Sequence, residues 1–167
     1  MAPGLEWVIV EKGRLALART PRTKEELREL LEAPKDLVVS MLTPEDDPGA
    51  AGSIEELHAQ LARTSGKVIL LPTGSGAPPS PEQALLVLEE IRRVMERGGR
   101  VVIICGRAWG RSACLAASYL VYRGRSPEEA LRLIEEEARR RGEEPPSPEQ
   151  KKLPFAVREL RRASAGT

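Results

Sequence analysis

The sequence has no asparagine, very little glutamine, one histidine, two cysteines and few aromatic residues. Each scarcity excludes something. Cys105 and Cys114 lie close together in the chain, unlike the spaced cysteines of a secreted disulfide framework, so a reducing cytoplasm is the expected setting. With His58 as the only histidine, a zinc site is not expected, and no metal or cofactor is called for. Few aromatics leave the core to Leu, Val, Ile and Ala. No apolar run reaches the roughly 18 residues of a membrane span, and "MAPGLEWVIVEKG" lacks the long apolar centre of a signal peptide. An excess of one charge is missing too. The formal net charge is +1, without the basic surplus of a nucleic-acid binder. Abundant Arg, Glu and Pro beside absent Asn favour resistance to heat and say nothing of activity.

What remains is a chain of 167 residues, enough for one domain over 1–167 with a core that needs no disulfide or structural metal. Short β-rich runs alternate with helical patterns. "EWVIV" and "GRLALA" read as strands joined by a turn at Lys12-Gly13, and "DLVVSML", "KVILL" and "RVVII" as further strands. Helices open at Thr23, Ser53, Ser80 and Ser126, each with Glu or Gln three residues on, as a capping box requires. A last helix is expected from Ser147, broken or kinked at Pro154. This alternation predicts a single α/β domain: a mostly parallel, twisted sheet of four to five strands flanked by helices, with "RVVII" central because it is apolar on both faces.

Such sheets bind ligands at the carboxyl ends of their strands, and Cys105 ends the most apolar one. The loop after it, Gly106, Arg107, Ala108, Trp109 and Gly110, runs into Arg111, Ser112 and a helix. Unpaired amides at a helix start favour an anion and stabilise a thiolate. An arginine six residues after the cysteine can hold two phosphate oxygens in its planar fork, and the Ser112 hydroxyl can donate to the sulfur. The pattern C-x5-R-S therefore suits attack of sulfur on phosphorus, with the loop amides as substrate-binding groups. A Walker A loop does not fit: Gly106 and Gly110 stand one residue too close and Arg111 replaces the lysine. A sulfur-transfer loop also places a cysteine after a strand, but the downstream helices suit that class less well.

These residues resemble the signature H-C-x5-R-[ST] of the cysteine-dependent protein tyrosine and dual-specificity phosphatases. "RSACLAASYLVYRGRSPEEALRLIEE" is similar to the helix pair after that signature, and "PPSPEQKKLPF" to the segment that places hydrolytic water. "LPTGSGAPPSPEQ" is similar to the general-acid loop, so nearly the whole chain is covered, most closely by the compact single-domain type. The resemblance implies hydrolysis of phosphotyrosine, and of phosphoserine or phosphothreonine, in a phosphorylated protein or peptide through a phospho-cysteine intermediate. Cys105 is then the nucleophile, Arg111 the phosphate ligand, Ser112 the aid to breakdown of the intermediate, and Gln150 a water-placing residue. No nucleic acid or membrane is expected as partner, and a monomer is expected.

Four positions depart from the family pattern. Ile104 replaces the histidine before the cysteine, Ala108 the usual glycine, Ser75 the general-acid aspartate and Pro146 the first water-placing glutamine. A missing general acid typically costs about 10²–10⁴-fold in rate. Glu45, Asp46 and Asp47, in the loop after "DLVVSML", are candidate substitutes, with Asp47 favoured among the three and a purely solvated turn as the evenly weighted alternative. These departures keep open an alternative, a catalytically impaired domain that binds phosphorylated partners. Arg107 and Trp109 project from the loop as substrate contacts, with Trp109 equally suited to packing. Cys114 reads as core, or else as a resolving partner for an oxidised Cys105. His58 reads as a surface residue.

Overall fold

The computed structural model describes residues 5–8, 14–107 and 109–165, the backbone alone for 5–8 and 165. Strands β1 (Leu5–Val8), β2 (Leu15–Arg19), β3 (Leu37–Ser40), β4 (Val68–Leu70) and β5 (Val101–Cys105) form one sheet in the order β1-β2-β5-β3-β4. β1 pairs antiparallel with β2, and the other four strands run parallel. The most apolar strand, β5, is central as expected. The expected turn at Lys12-Gly13, and Ile9 and Val10 of the first run, lie outside the described residues, as does Ala108.

Strand periodicity divides the core. Side chains two apart share a face, so Leu15, Leu17, Val101, Ile103 and Cys105 join one cluster and Ala16, Ala18, Val102 and Ile104 the other. The first face is covered by α3 (Pro81–Glu96), α4 (Arg111–Tyr122), α5 (Pro127–Arg140) and α6 (Lys152–Ala165). The second is covered by α1 (Lys24–Glu32) and α2 (Ile54–Thr64). Ile104, where the family carries histidine, is fully buried on the α1–α2 face. An imidazole there would need a polar partner inside an aliphatic cluster.

The helix starts follow the capping chemistry. Thr23, Ser53, Ser80 and Ser126 each accept a hydrogen bond from the backbone N–H of the residue three on, worth about 1 kcal/mol apiece. The last helix differs from expectation. Ser147 and Gln150 do close a reciprocal turn, Ser147 N–H donating to Gln150 Oε1 at 2.8 Å and Gln150 N–H to Ser147 Oγ at 3.2 Å. The α-helix itself begins only at Lys152. Pro154 therefore sits in its first turn, where a missing N–H removes no helical bond, and the proline starts the helix instead of kinking it.

His58 is also not a free surface residue. It is half-buried on α2, its Nε2 2.7 Å from the Oγ of buried Ser40 at the end of β3. Ser40 Oγ accepts from Leu42 N–H, so its own proton is free for a neutral imidazole. Burial lowers the pKa of His58 below its usual 6.5. The unfolded chain then binds the proton more readily. The stability contributed is complete above pH 6.5 and is lost as pH falls through the lower folded value. The melting temperature of the protein should drop between pH 7 and pH 5, and His58→Gln should flatten that slope. An unchanged slope in the variant removes His58 as its source.

Candidate active site

The site lies where β3, β4 and β5 end. Arg111, the first residue of α4, is only 4% exposed and points back under the loop that follows Cys105. Its Nη1 donates to the carbonyls of Met41 (3.1 Å) and Thr73 (2.7 Å), beyond the ends of β3 and β4. Nη1 and Nη2 also donate to the two carboxylate oxygens of Asp46, at 2.9 and 2.7 Å. Asp46 accepts further bonds from Thr43 N–H and Oγ1. Burial raises the Asp46 pKa, but the Arg111 and Thr43 hydrogen bonds outweigh it and hold the carboxyl below its ordinary value. Burial likewise works against the Arg111 charge. Asp46, together with charge on Cys105, more than offsets this, so the guanidinium is held ionised. Asp46 is thus an ion-pair partner that fixes the fork, which disqualifies it as a proton donor near neutrality.

Two glycines make this arrangement possible. A Cβ on Gly106 would stand 3.0 Å from Arg111 Nη2 and 3.1 Å from Asp46 Oδ1. A Cβ on Gly49 would stand 2.0 Å from the Pro21 carbonyl oxygen, and its φ of +59° is left-handed. Gly49 opens the short 3₁₀ turn Gly49–Ala51, through which the loop carrying Asp46 and Asp47 docks, Ala50 N–H donating to Pro21 O at 2.9 Å.

Above Gly106 and Arg111 lies an open cavity of about 350 Å³. Gly106, Arg107, Gly110, Arg111 and Gln150, all expected site residues, line it together with Asp47 and Ser75. Gly110, the N-cap of α4, makes no side-chain cap bond, so the cap residue itself leaves the first amides of this helix unpaired. Gln150 is buried, its amide 3.6 Å from a Cβ built on Gly110. Asp47 Oδ1 accepts from Gly49 N–H at 2.9 Å. Glu144, Ser147 and Thr20 complete the polar wall, and Arg107 reaches Glu144 across the mouth at 3.2 Å. Sequence reasoning missed Glu144 and Thr20. Glu144 precedes "PPSPEQ", whose resemblance to a water-placing segment already put it at the site edge, whereas Thr20 gives no local signal.

Two expectations are corrected. Trp109 is 1% exposed and packs in the core with the Arg141 guanidinium 5.5 Å from its ring, so it is not a substrate contact. The Ser112 hydroxyl donates to the Ile103 carbonyl at 3.2 Å and so ties α4 to β5 instead of donating to the sulfur. Cys105 is fully buried, just before cavity-lining Gly106, and its Sγ lies against the Arg107 carbonyl oxygen. Cys114 is core: its Sγ donates to the Gln150 carbonyl at 3.1 Å, and burial, with Cys105 nearby, pushes its thiol far above the usual range.

A family model described as Swiss Army Knife protein, DSP-PTPase phosphatase domain, matches residues 3–167. Among solved structures, Tk-PTP in its active form is similar over 95% of this chain and 99% of its own, at 28% identity and a TM-score of 0.73. Kinase associated phosphatase, with its catalytic cysteine substituted by serine, aligns over 100% of this chain and 98% of its own at 18% identity and a TM-score of 0.77. PTPMT1 in complex with PI(5)P aligns over 98% and 99% at 20% identity and a TM-score of 0.73. These last two bear on the fold alone. No curated protein matches the sequence. Among the described residues no helix is long and apolar enough to cross a membrane, and no group of His, Cys, Asp or Glu could hold a metal ion. A C-x5-R-S loop between a central parallel strand and a buried helix, its arginine fixed under a polar cavity, accompanies a family match that spans residues 3–167: the chain belongs to the dual-specificity phosphatase-like domains of the Swiss Army Knife group.

Proposed function

We propose that this domain hydrolyses phosphate monoesters through a phospho-cysteine intermediate, phosphotyrosine, phosphoserine and phosphothreonine in proteins among them. The observation that carries this reading is the Arg111 fork, buried, charged and held by Asp46 at the wall of an open cavity that is also lined by Gly106, the residue after Cys105. The Cys105 thiolate attacks phosphorus, the ester oxygen leaves with a proton, and water then splits the sulfur–phosphorus bond. Arg111 and the amides at the start of α4 offset charge on the equatorial oxygens.

Asp47 is proposed as the proton donor. It lines the cavity, and its Oδ1 accepts from Gly49 N–H. Arylphosphates carry good leaving groups and alkyl phosphates poor ones, so the two separate nucleophile from acid. Purified protein with reduced thiols and a chelator present should release nitrophenol from p-nitrophenyl phosphate. Asp47→Asn should lower kcat for a phosphoserine peptide by about 10²–10⁴-fold and for p-nitrophenyl phosphate much less. Equal losses on both esters would remove Asp47 from the acid role. No aryl turnover by the parent protein across pH 5–8 would remove the reading itself. One observation favours a second reading, a domain that binds phosphorylated partners without turning them over: the Arg107 carbonyl stands against the sulfur. Phosphopeptide binding with no phosphate release would establish it.

A further inference from the structure

The wall of the cavity bears on what the phosphate is attached to. Four aromatic side chains are described, and all are placed elsewhere. Trp109 and Tyr119 are buried in the core, Tyr122 bonds Glu89 and stacks with Arg161, and Phe155 packs on α6 beside Arg158. Among the described residues none of the cavity's lining is aromatic, and Pro145 is its only apolar side chain beyond glycine. The rest is hydrogen-bonding surface: Thr20, Ser75, Ser147 and Gln150, with the carboxylates of Asp47 and Glu144. A phenyl ring seated here meets no stacking face and covers polar groups that it cannot satisfy. A carbon skeleton that carries hydroxyl groups meets both donors and acceptors, and a carboxylate can accept from two neighbouring hydroxyls.

Charge narrows the class. Two guanidinium groups face three carboxylates in the lining. Asp46 is committed to Arg111, and Glu144 stands 3.2 Å from Arg107 at the mouth. One phosphoryl group is met by the N–H groups of Arg111, whose charge Asp46 already offsets in part, and by the helix start. A second phosphate on the same molecule would lie against Asp47 and Glu144 and be repelled.

We propose that the preferred substrate is the monophosphate ester of a polyol, a phosphorylated sugar or cyclitol, either free or as the headgroup of a lipid. This rests on the phosphatase reading above. The reaction balances as follows. The Cys105 sulfur forms a bond to phosphorus, the phosphorus–oxygen bond to the polyol breaks, and that oxygen takes the proton of the Asp47 carboxyl. Water then attacks phosphorus, the sulfur–phosphorus bond breaks with its electron pair left on sulfur, and the proton lost by water returns to Asp47. The products are inorganic phosphate, the free polyol and the thiolate.

The test compares kcat/KM for five probes on the full chain: p-nitrophenyl phosphate, a phosphotyrosine peptide, myo-inositol monophosphate, myo-inositol trisphosphate, and phosphatidylinositol monophosphate in phosphatidylcholine vesicles. A monophosphorylated inositol, soluble or in vesicles, should exceed the peptide by about tenfold or more. The trisphosphate should be the poorer of the two soluble inositol esters. Whichever of the soluble and vesicle forms is turned over faster identifies the source. Ser75→Phe, which adds a ring to the lip, should shift the ratio toward the phosphotyrosine peptide. A peptide equal to or better than both monophosphates overturns the substrate class and leaves the phosphatase reading standing, as does a trisphosphate that outruns the monophosphate. No release from any probe, p-nitrophenyl phosphate included, overturns both together.

Discussion

Cys105→Ser should yield a folded protein with no measurable turnover of p-nitrophenyl phosphate, a loss of more than about 10⁴-fold. A serine hydroxyl in the same place is a far weaker nucleophile, because no histidine lies beside it to take its proton. Ile104 fills the preceding position, and His58 is engaged with Ser40 on α2. The exchange should leave stability nearly unchanged. Cys105 is buried, and a hydroxyl can donate to the Arg107 carbonyl and accept from Arg111 as the sulfur does. Far-UV circular dichroism and melting temperature check the fold, and mass spectrometry of the quenched parent enzyme checks for the covalent phospho-adduct. Residual activity in the variant within tenfold of the parent would place the nucleophile elsewhere. The cysteine would then be a core residue like Cys114, whose buried thiol is shut off from ionisation.

The sheet and the cradle were legible for a physical reason: both are written in local patterns. Strand periodicity, capping residues and the apolar run of β5 each act within a few residues, and the loop chemistry sits in eight consecutive positions, Cys105 to Ser112. What was not legible depends on long-range approach. Asp46 and Asp47 are neighbours with identical side chains. Only the docking of Gly49 on Pro21 decides that the first meets Arg111, 65 positions away, while the second lines the cavity. Sequence puts the Ser112 hydroxyl against the sulfur because nothing local shows that it meets the Ile103 carbonyl. Trp109 lies in a loop whose outward or inward turn is a packing outcome, and burial won because α5 brings Arg141 over its ring. Pro154 was read as an interior proline since the reciprocal Ser147–Gln150 turn imitates a helix start that comes later.

Arg111→Ala should be nearly as damaging to activity and far more damaging to the fold. The fork supplies the main charge opposite the phosphoryl oxygens, and losing such an arginine lowers kcat by about 10³–10⁵-fold. It also joins three segments: Met41 and Thr73 lose a shared donor, and Asp46, its side chain 12% exposed, is left as an ionised carboxylate with no counter-charge. Breaking a buried pair from one side destabilises by about 3–5 kcal/mol, somewhat less here because Asp46 keeps its bonds from Thr43. The pH dependence identifies the cause. In the parent, the Asp46 pKa is depressed below its usual 3.8, so its stabilising contribution is complete above that pH and is lost as pH falls through the lower folded value. In the variant that contribution disappears, and denaturant midpoints should fall less steeply on acidification. Asp46→Asn alone leaves the Arg111 charge without a partner, so the double variant Asp46→Asn/Arg111→Ala should recover much of the stability lost in the arginine variant and none of its activity. Should Arg111→Lys separate the two effects, keeping the fold while kcat drops by about 10²-fold or more, the planar fork and not the charge alone is what the reaction uses. Full activity in the lysine variant would mean that the substrate phosphate binds outside this cradle.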